Sequence, residues 1–188
     1  MPKLKPGIRY AALSSRANGI PRDIRSGVKV RLPVAIPAGS HEWIETEALW
    51  DTGATNSVIS SSLAIRLNLP AVSRATTYGI HGPKEVDVFL IDFLLMNAVH
   101  FPSWRVSSGD TGPTTPDVII GMDIITRGDM TFMAGGGEYI FSFIVPSLED
   151  PTDFNMYVTK YNDDLKWKTQ NAQSQAEYRA KLKSKKPR

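Results

Sequence analysis

The chain has 188 residues, 41% of them hydrophobic, and a net charge of +3, enough apolar material for one ordinary core and a better fit to one domain than to two. It has no cysteine, which excludes disulfides and thiolate chemistry. No run approaches the roughly 18 apolar residues that span a bilayer, and MPKLKPGIRYAALSS has no apolar stretch after its basic residues, so neither a signal peptide nor a membrane partner is expected and the chain is placed in the cytoplasm.

Residues 1–26 are rich in Lys, Arg, Ser, Gly and Pro without a clear period and read as an extended, loosely attached arm. From Val28 the texture changes. VKVRLPVAI alternates at its start and predicts a strand, with Pro33 placing it near an edge or bulge. After the turn PAGS, EWIETEALW predicts a second strand running straight into Asp51. SSSLAIRLNLP predicts a short helix, with serines as N-caps, Leu63 and Leu67 one turn apart and Pro70 as its stop.

ATTYGIHGPKEVDVFLIDFLLM predicts a β-hairpin with Gly79 and Gly82 at its tip. SSGDTGPTTP is all turn-formers, DVIIG a short apolar strand meeting a glycine, MDIITRG a helical turn or two, and MTFMAGGGEYIFSFIV a closing hairpin around Gly135–Gly137. The last segment predicts a helix. Asp150 suits its N-cap, Pro151 its first position, and Asp153 complements its N-terminus. Phe154, Tyr157, Val158, Tyr161 and Leu165 share one face that should pack on something, with the final basic stretch fraying away.

Charge is uneven. Residues 165–188 hold eight of the 22 Lys and Arg but one of the 19 Asp and Glu, a local +7 that leaves −4 on residues 1–164. The tail could contact phosphates, with Tyr178 stacking on a base. A solvated, helix-prone tail explains it better, and specific nucleic-acid binding is not expected. His41, His81 and His100 lack metal-ligand spacing, so no metal and no other cofactor is expected. Trp43, Trp50 and Trp104 read as core residues, and Arg-Gly-Asp at 127–129 as chance.

Asp-Thr-Gly occurs twice, at Asp51 and at Asp110. Hydrolysis of a peptide bond by two carboxylates needs them close enough to share a proton and a water, which drives their pKa values apart. The ionised partner can act as base on the water and the protonated one as acid. Each must sit at a strand end, on a turn whose glycine lets backbone groups approach the carboxylate. Asp51 meets these demands: Ile44, Ala48, Leu49 and Trp50 precede it, and Val58–Ile59 restart an apolar run. Asp110 has only Ser, Gly, Pro and Thr around it and no evident strand leading in, so it reads as an exposed turn. The two copies are 59 residues apart, too few for a second lobe with its own flap.

Asp51-Thr52-Gly53-Ala54, the hairpin tip Tyr78-Gly79-Ile80-His81-Gly82 and Val118-Ile119-Ile120-Gly121-Met122-Asp123 together resemble the retropepsin family, the single-domain, retroviral-type aspartic proteases. IIGMDII looks closer to cellular members, such as the ubiquitin-associated DNA-damage-inducible proteases and bacterial retropepsin-like proteins, than to viral enzymes. The resemblance covers roughly residues 27–145. It implies a mostly β, single-domain closed barrel with a flap hairpin, one or two short helices and an added C-terminal helix. The expected divisions are an arm over 1–26, flexible or inhibitory, a protease domain over 27–146, and a helical extension with a basic tail over 147–188.

The resemblance further implies a homodimer in which Asp51 of each subunit forms the catalytic dyad across a two-fold axis. Thr52 would cross-brace the site, and Gly53, with Ala54 beside it in the active-site loop, would hold the dyad loop and bind substrate. The flap at Tyr78–Gly82 would close over an extended peptide. Gly121, with Ile120 before it, would support the catalytic loop from below. The C-terminus continues for about 40 residues beyond the viral pattern, so the dimer contacts are open, and the N-terminal arm could lie in the interface or in the groove. His81 at the flap tip could make closure pH-dependent, though an exposed turn histidine is the plainer reading. Ala54, unable to donate a hydrogen bond to the dyad as a serine would, implies activity nearer neutral pH. A catalytically silent peptide-binding or dimerisation module on the same fold is the alternative.

Overall fold

A computed structural model describes residues 4–19, 21–37, 40–79, 82–96, 98–110, 112, 114–149 and 153–184. Residues 3–149 form one compact unit and residues 150–188 belong to another. The first contains strands β1 (Ala11–Asn18), β2 (Arg25–Arg31), β3 (Ile44–Trp50) and β4 (Val58–Ser60), helix α1 (Ser61–Arg66), and strands β5 (Ser73–Gly79), β6 (Gly82–Leu95), β7 (His100–Gly109) and β8 (Val118–Ile120). Helix α2 (Met122–Ile125) and strands β9 (Asp129–Gly135) and β10 (Glu138–Val145) complete it.

Six strands close on themselves. The sheet order is β2-β3-β8-β4-β7-β6, and Val28–Arg31 of β2 pair back onto Asp92–Leu95 of β6. Closure removes the open edges that an apolar sheet would otherwise present. The strand β5 lies outside the ring on β6, from Ser73 opposite Val88 to Gly79 opposite Gly82. This is the hairpin expected as a flap; its tip residues Ile80 and His81 lie outside the described residues. β8 slips between consecutive β3 and β4, parallel to the first and antiparallel to the second.

Alternation decides what fills the barrel. Val28 and Val30 of β2, Ala48 and Trp50 of β3, and Val118 and Ile120 of β8 point inward with Ile59, Ile91, Phe93, Leu63 and Ile124, and all are buried. α1 starts where serine allows it to. The Ser60 hydroxyl accepts from the Leu63 amide at 3.0 Å, Leu63 and Leu67 are buried, and the helix ends before Asn68, whose φ is +49°.

Several expectations change. Part of the supposed arm is strand β1, paired along its whole length with β10 and burying Leu13. The pattern in AALSSRAN is too polar to declare a strand, and only the register against β10 supplies it. β10 also pairs with β9, giving a three-stranded sheet. Phe141 and Phe143 of that sheet pack on Trp50, with ring centroids 5.0 and 4.8 Å apart. β2 runs over 25–31 rather than from Val28 to Ile36, because Pro33 cannot donate to a ladder and begins a turn with Ile36 N–H on its carbonyl.

In the second unit, α3 spans Phe154–Ser184. Asp150 and Pro151 lie outside the described residues, and the cap that is described is Asp153, whose Oδ1 accepts from the amides of Asn155 and Met156 at 2.9 and 3.2 Å. The helix continues through the basic stretch to Ser184 instead of fraying after Leu165. Phe154, Tyr157, Val158, Tyr161 and Leu165 are all exposed, so the expected packed face is an open one. Among the described residues no helix is long and apolar enough to cross a membrane.

Candidate active site

Asp51 stands one residue past β3, where the parallel β3–β8 ladder ends at Trp50 opposite Ile120. The ladder's last bond carries into the site, because the Asp51 amide donates to the Ile120 carbonyl at 3.0 Å. The chain then turns back on itself. The Gly53 amide donates to Asp51 Oδ1 at 2.8 Å, and the Ala54 amide to the Asp51 carbonyl at 3.2 Å. A Cβ on Gly53 would sit 3.1 Å from the same Oδ1, so the glycine lets the backbone close on the carboxylate. Asp51 itself is half-buried, while Thr52 and Gly53 are exposed and Ala54 half-buried.

Gly121 lies beneath this turn. A Cβ there would fall 2.6 Å from the Asn56 carbonyl carbon and 2.9 Å from the Ala54 oxygen, a distance no side chain tolerates. That close approach lets the first amides of α2 reach the turn: Met122 N–H donates to Ala54 O at 2.8 Å and Asp123 N–H to Thr55 O at 3.2 Å. Ile120, fully buried, supplies the carbonyl under Asp51. The structure thus brings Asp51, Gly53, Ala54, Ile120 and Gly121 into one hydrogen-bonded unit. Tyr78, Gly79 and Gly82 lie in the β5–β6 hairpin, with Tyr78 83% exposed.

The sequence reading did not name Ser57 and missed the roles of Trp104 and Asp123. Ser57, fully buried, donates its hydroxyl to Asp123 Oδ1 at 2.7 Å and accepts from the Gly121 amide at 3.1 Å. Trp104 Nε1–H donates to Asp123 Oδ2 at 3.0 Å, and the Ile124 amide adds a bond to Oδ1 at 3.0 Å. Asp123 therefore joins the segment after the Asp51 turn, α2 and β7, and its carboxylate is satisfied at both oxygens. The only available signal was Asp123 just after the glycine of IIGMD. Trp104 is half-buried and polar in its role, rather than a plain core residue. Beside it opens a cleft of about 450 Å³ whose walls include Asn56, Thr76 of β5, Trp104, Arg105 and Asp123.

The second Asp-Thr-Gly is led in by a strand after all: β7 runs through Ser107 and Ser108 to Gly109. Small polar residues hid it, and pairing with β4 makes it a strand. It still ends away from Asp51. β7 is parallel to β4, with Gly109 opposite Ser60, and β4 is antiparallel to β8, with Ile59 opposite Val118. Asp110 thus leaves the end of the barrel at which β8 begins, and Asp51 leaves the end at which β8 stops. The offset is about 16 Å along the strands, against the roughly 3 Å of a carboxylate dyad. Asp110 Oδ1 accepts from the Gly112 amide at 3.2 Å, the Asx turn expected of an exposed loop.

Residues 36–124 match the family model described as aspartyl protease. No curated protein matches the chain. Among solved structures it is similar to EIAV protease complexed with the inhibitor HBY-793, at 20% identity over 55% of this chain and 86% of that one, with a TM-score of 0.40. It is also similar to a retropepsin-like aspartic protease from Rickettsia conorii, at 11% identity over 73% and 98%, TM-score 0.40. A third is the Simian Foamy Virus (mac) protease, at 16% identity over 54% and 91%, TM-score 0.36. The matched segment holds the Asp51 turn, Gly121 and Asp123, and over it the chain is similar to aspartyl proteases.

Proposed function

We propose that the chain is an aspartic endopeptidase that works as a homodimer, with Asp51 of two copies forming the dyad. The observation that carries this reading is the Asp51 turn. Its carboxylate is held by the Gly53 amide at the end of a buried strand, and the other Asp-Thr-Gly emerges from the opposite end of the barrel. One chain therefore supplies one carboxylate of the pair, and a second copy supplies the other.

In the dimer the two carboxylates share a proton, because two like charges at hydrogen-bond distance do not both ionise. The ionised Asp51 takes a proton from a water between them. The water oxygen bonds to the scissile carbonyl carbon while the protonated Asp51 donates to the carbonyl oxygen. The C–N bond then breaks, the amine leaves with a proton, and no covalent enzyme intermediate forms. Thr52 braces the turn, Gly53 offers backbone to the substrate, and the β5–β6 hairpin closes over a peptide bound as an extended strand. The cleft beside Asn56, Thr76 and Trp104 receives a substrate side chain.

Cleavage of casein from pH 4 to 8 by the wild type, Asp51→Asn and Asp110→Asn tests the reading. Cutting by wild type and Asp110→Asn, with none by Asp51→Asn, is expected. Loss with Asp110→Asn but not with Asp51→Asn would sink it.

A further inference from the structure

We infer that α3 binds α3 of a second copy of this chain, the two helices lying antiparallel with Leu165 on the two-fold axis. The inference does not rest on the catalytic reading, since α3 belongs to a compact unit apart from the barrel. A protein helix draws most of its stability from packing one face. On α3 that face is open: Phe154, Val158, Tyr161 and Leu165 are between 49% and 63% exposed.

The spacing of the face singles out a second copy as its occupant. Phe154, Val158, Tyr161, Leu165, Thr169, Ala172 and Ala176 follow one another at intervals of 4, 3, 4, 4, 3 and 4 residues. That period of about 3.7 keeps all seven on one side of the helix in a nearly straight stripe, and none of them is charged. The intervals read the same in both directions from Leu165, but the sizes invert. Phe154 and Ala176 lie 11 residues from it, Val158 and Ala172 lie 7, and Tyr161 and Thr169 lie 4. In an antiparallel pair centred on Leu165, each bulky side chain therefore meets a small one, and Leu165 meets its own copy. Large against small is what lets two helices approach to about 8–10 Å without a void. Thr169 suits the small half because its hydroxyl is already bonded, Oγ1 donating to the Leu165 carbonyl at 2.9 Å, so its burial strands no donor.

Charge agrees with the direction. Residues 154–164 carry Lys160 against Asp163 and Asp164, a net −1, and residues 166–176 carry Lys166 and Lys168, a net +2. Antiparallel pairing lays the acidic half of each helix on the basic half of the other and sets the helix dipoles head to tail. Parallel pairing would lay +2 on +2, crowd Phe154 against Phe154 and leave a gap between alanines. A lipid surface would accept the aromatic end but has no use for the mirrored spacing. One helix facing its own copy satisfies an isologous contact with a single surface.

Because the chain lacks cysteine, single-cysteine variants of the full-length protein each take one spin label, and electron resonance reads the distance between copies. Asn155, Lys160, Gln170 and Gln175 are exposed and lie outside the stripe. Labels at Asn155→Cys and Gln175→Cys should stand about 30 Å apart along the helix axis, and labels at Lys160→Cys and Gln170→Cys about 15 Å. The expected profile thus falls toward Leu165 from both sides. Adding Leu165→Asp, which sets two carboxylates face to face on the axis, should abolish that profile while circular dichroism shows the chain still folded. One short distance at all four positions would mean a parallel pair, and distances with no minimum at Leu165 would mean no α3 pair; either overturns the inference. Absence of the profile together with co-sedimentation on phosphatidylserine vesicles overturns it in favour of a lipid surface. Casein cleavage in the same samples is a separate readout. Cleavage without the profile removes the helix pair and leaves the protease reading standing, and the profile without cleavage leaves the helix pair standing by itself.

Discussion

The buried hydroxyl of Ser57 donates to Asp123 and accepts from the amide of Gly121, so one oxygen joins the carboxylate of α2 to the backbone on which the Asp51 turn rests. Deleting it strands the buried Gly121 amide and takes from Asp123 Oδ1 one of its two donors, a loss of about 1–3 kcal/mol. For a chain of this size that is a fall in Tm of about 3–10 °C. Ser57→Ala should show it in a thermal melt and Ser57→Thr, which keeps the hydroxyl, should recover most of it. Full stability of Ser57→Ala would mean that the bond is dispensable.

Gly121→Ala should be worse for activity than for folding. The added carbon meets the backbone of Asn56 and Ala54 rather than a movable side chain. Relief must come from moving the turn that holds Asp51, at a cost of about 1–3 kcal/mol. A folded variant whose casein cleavage drops at least tenfold is expected; unchanged cleavage would show that the turn tolerates the shift.

Asp92 tests the opposite side of the barrel. It is 3% exposed and accepts from Arg31 Nε at 3.0 Å and from the Ser103 amide at 2.9 Å, with His100 Nε2 at 3.6 Å. The Arg31 guanidinium also lies 4.2 Å over the Trp43 ring. Asp92→Ala leaves a half-enclosed arginine without its counter-charge and should cost about 3 kcal/mol in urea denaturation. It should not alter the pH profile of cleavage, since none of these groups bonds to the Asp51 turn.

Ala54 sets the expected pH range. Its amide and carbonyl are spent on Asp51 O and Met122 N–H, and its methyl offers no donor to the Asp51 carboxylate. Cleavage by the wild type should peak between about pH 4 and 7. Ala54→Ser, which adds a donor that favours the ionised carboxylate, should move the acid limb downward. A wild-type optimum below about pH 3 would contradict this.

Acid should also loosen the entry to β2. The Arg25 guanidinium hydrogen-bonds Asp23 at 2.7 and 2.9 Å, which lowers the Asp23 pKa and raises that of Arg25. A depressed carboxylate contributes stability above its ordinary range and loses it as pH falls through the folded value. Wild type should therefore lose its advantage over Asp23→Asn on going from pH 6 to pH 3, read as converging Tm values. A constant gap would show that the pair is not felt.

The hairpins, the two short helices and the Asp51 turn were legible in the sequence because each is encoded locally, by alternation, capping serines, glycines at tips and a strand that runs into Asp-Thr-Gly. The final helix was equally visible, though not its length, since a solvated basic helix and a frayed one share a composition. What tertiary structure alone decided are relations between segments far apart in the chain. β1 is a strand only against β10, and Ser107–Gly109 only against β4, because a polar stretch gains a ladder when a distant neighbour presents its edge. Ser57 and Asp123 stand 66 residues apart, and no local pattern announces that a buried hydroxyl and a carboxylate will meet. The choice between the two Asp-Thr-Gly copies was open to sequence by context, but its geometric reason, that they leave opposite ends of the barrel, rests on the antiparallel register of β4 and β8.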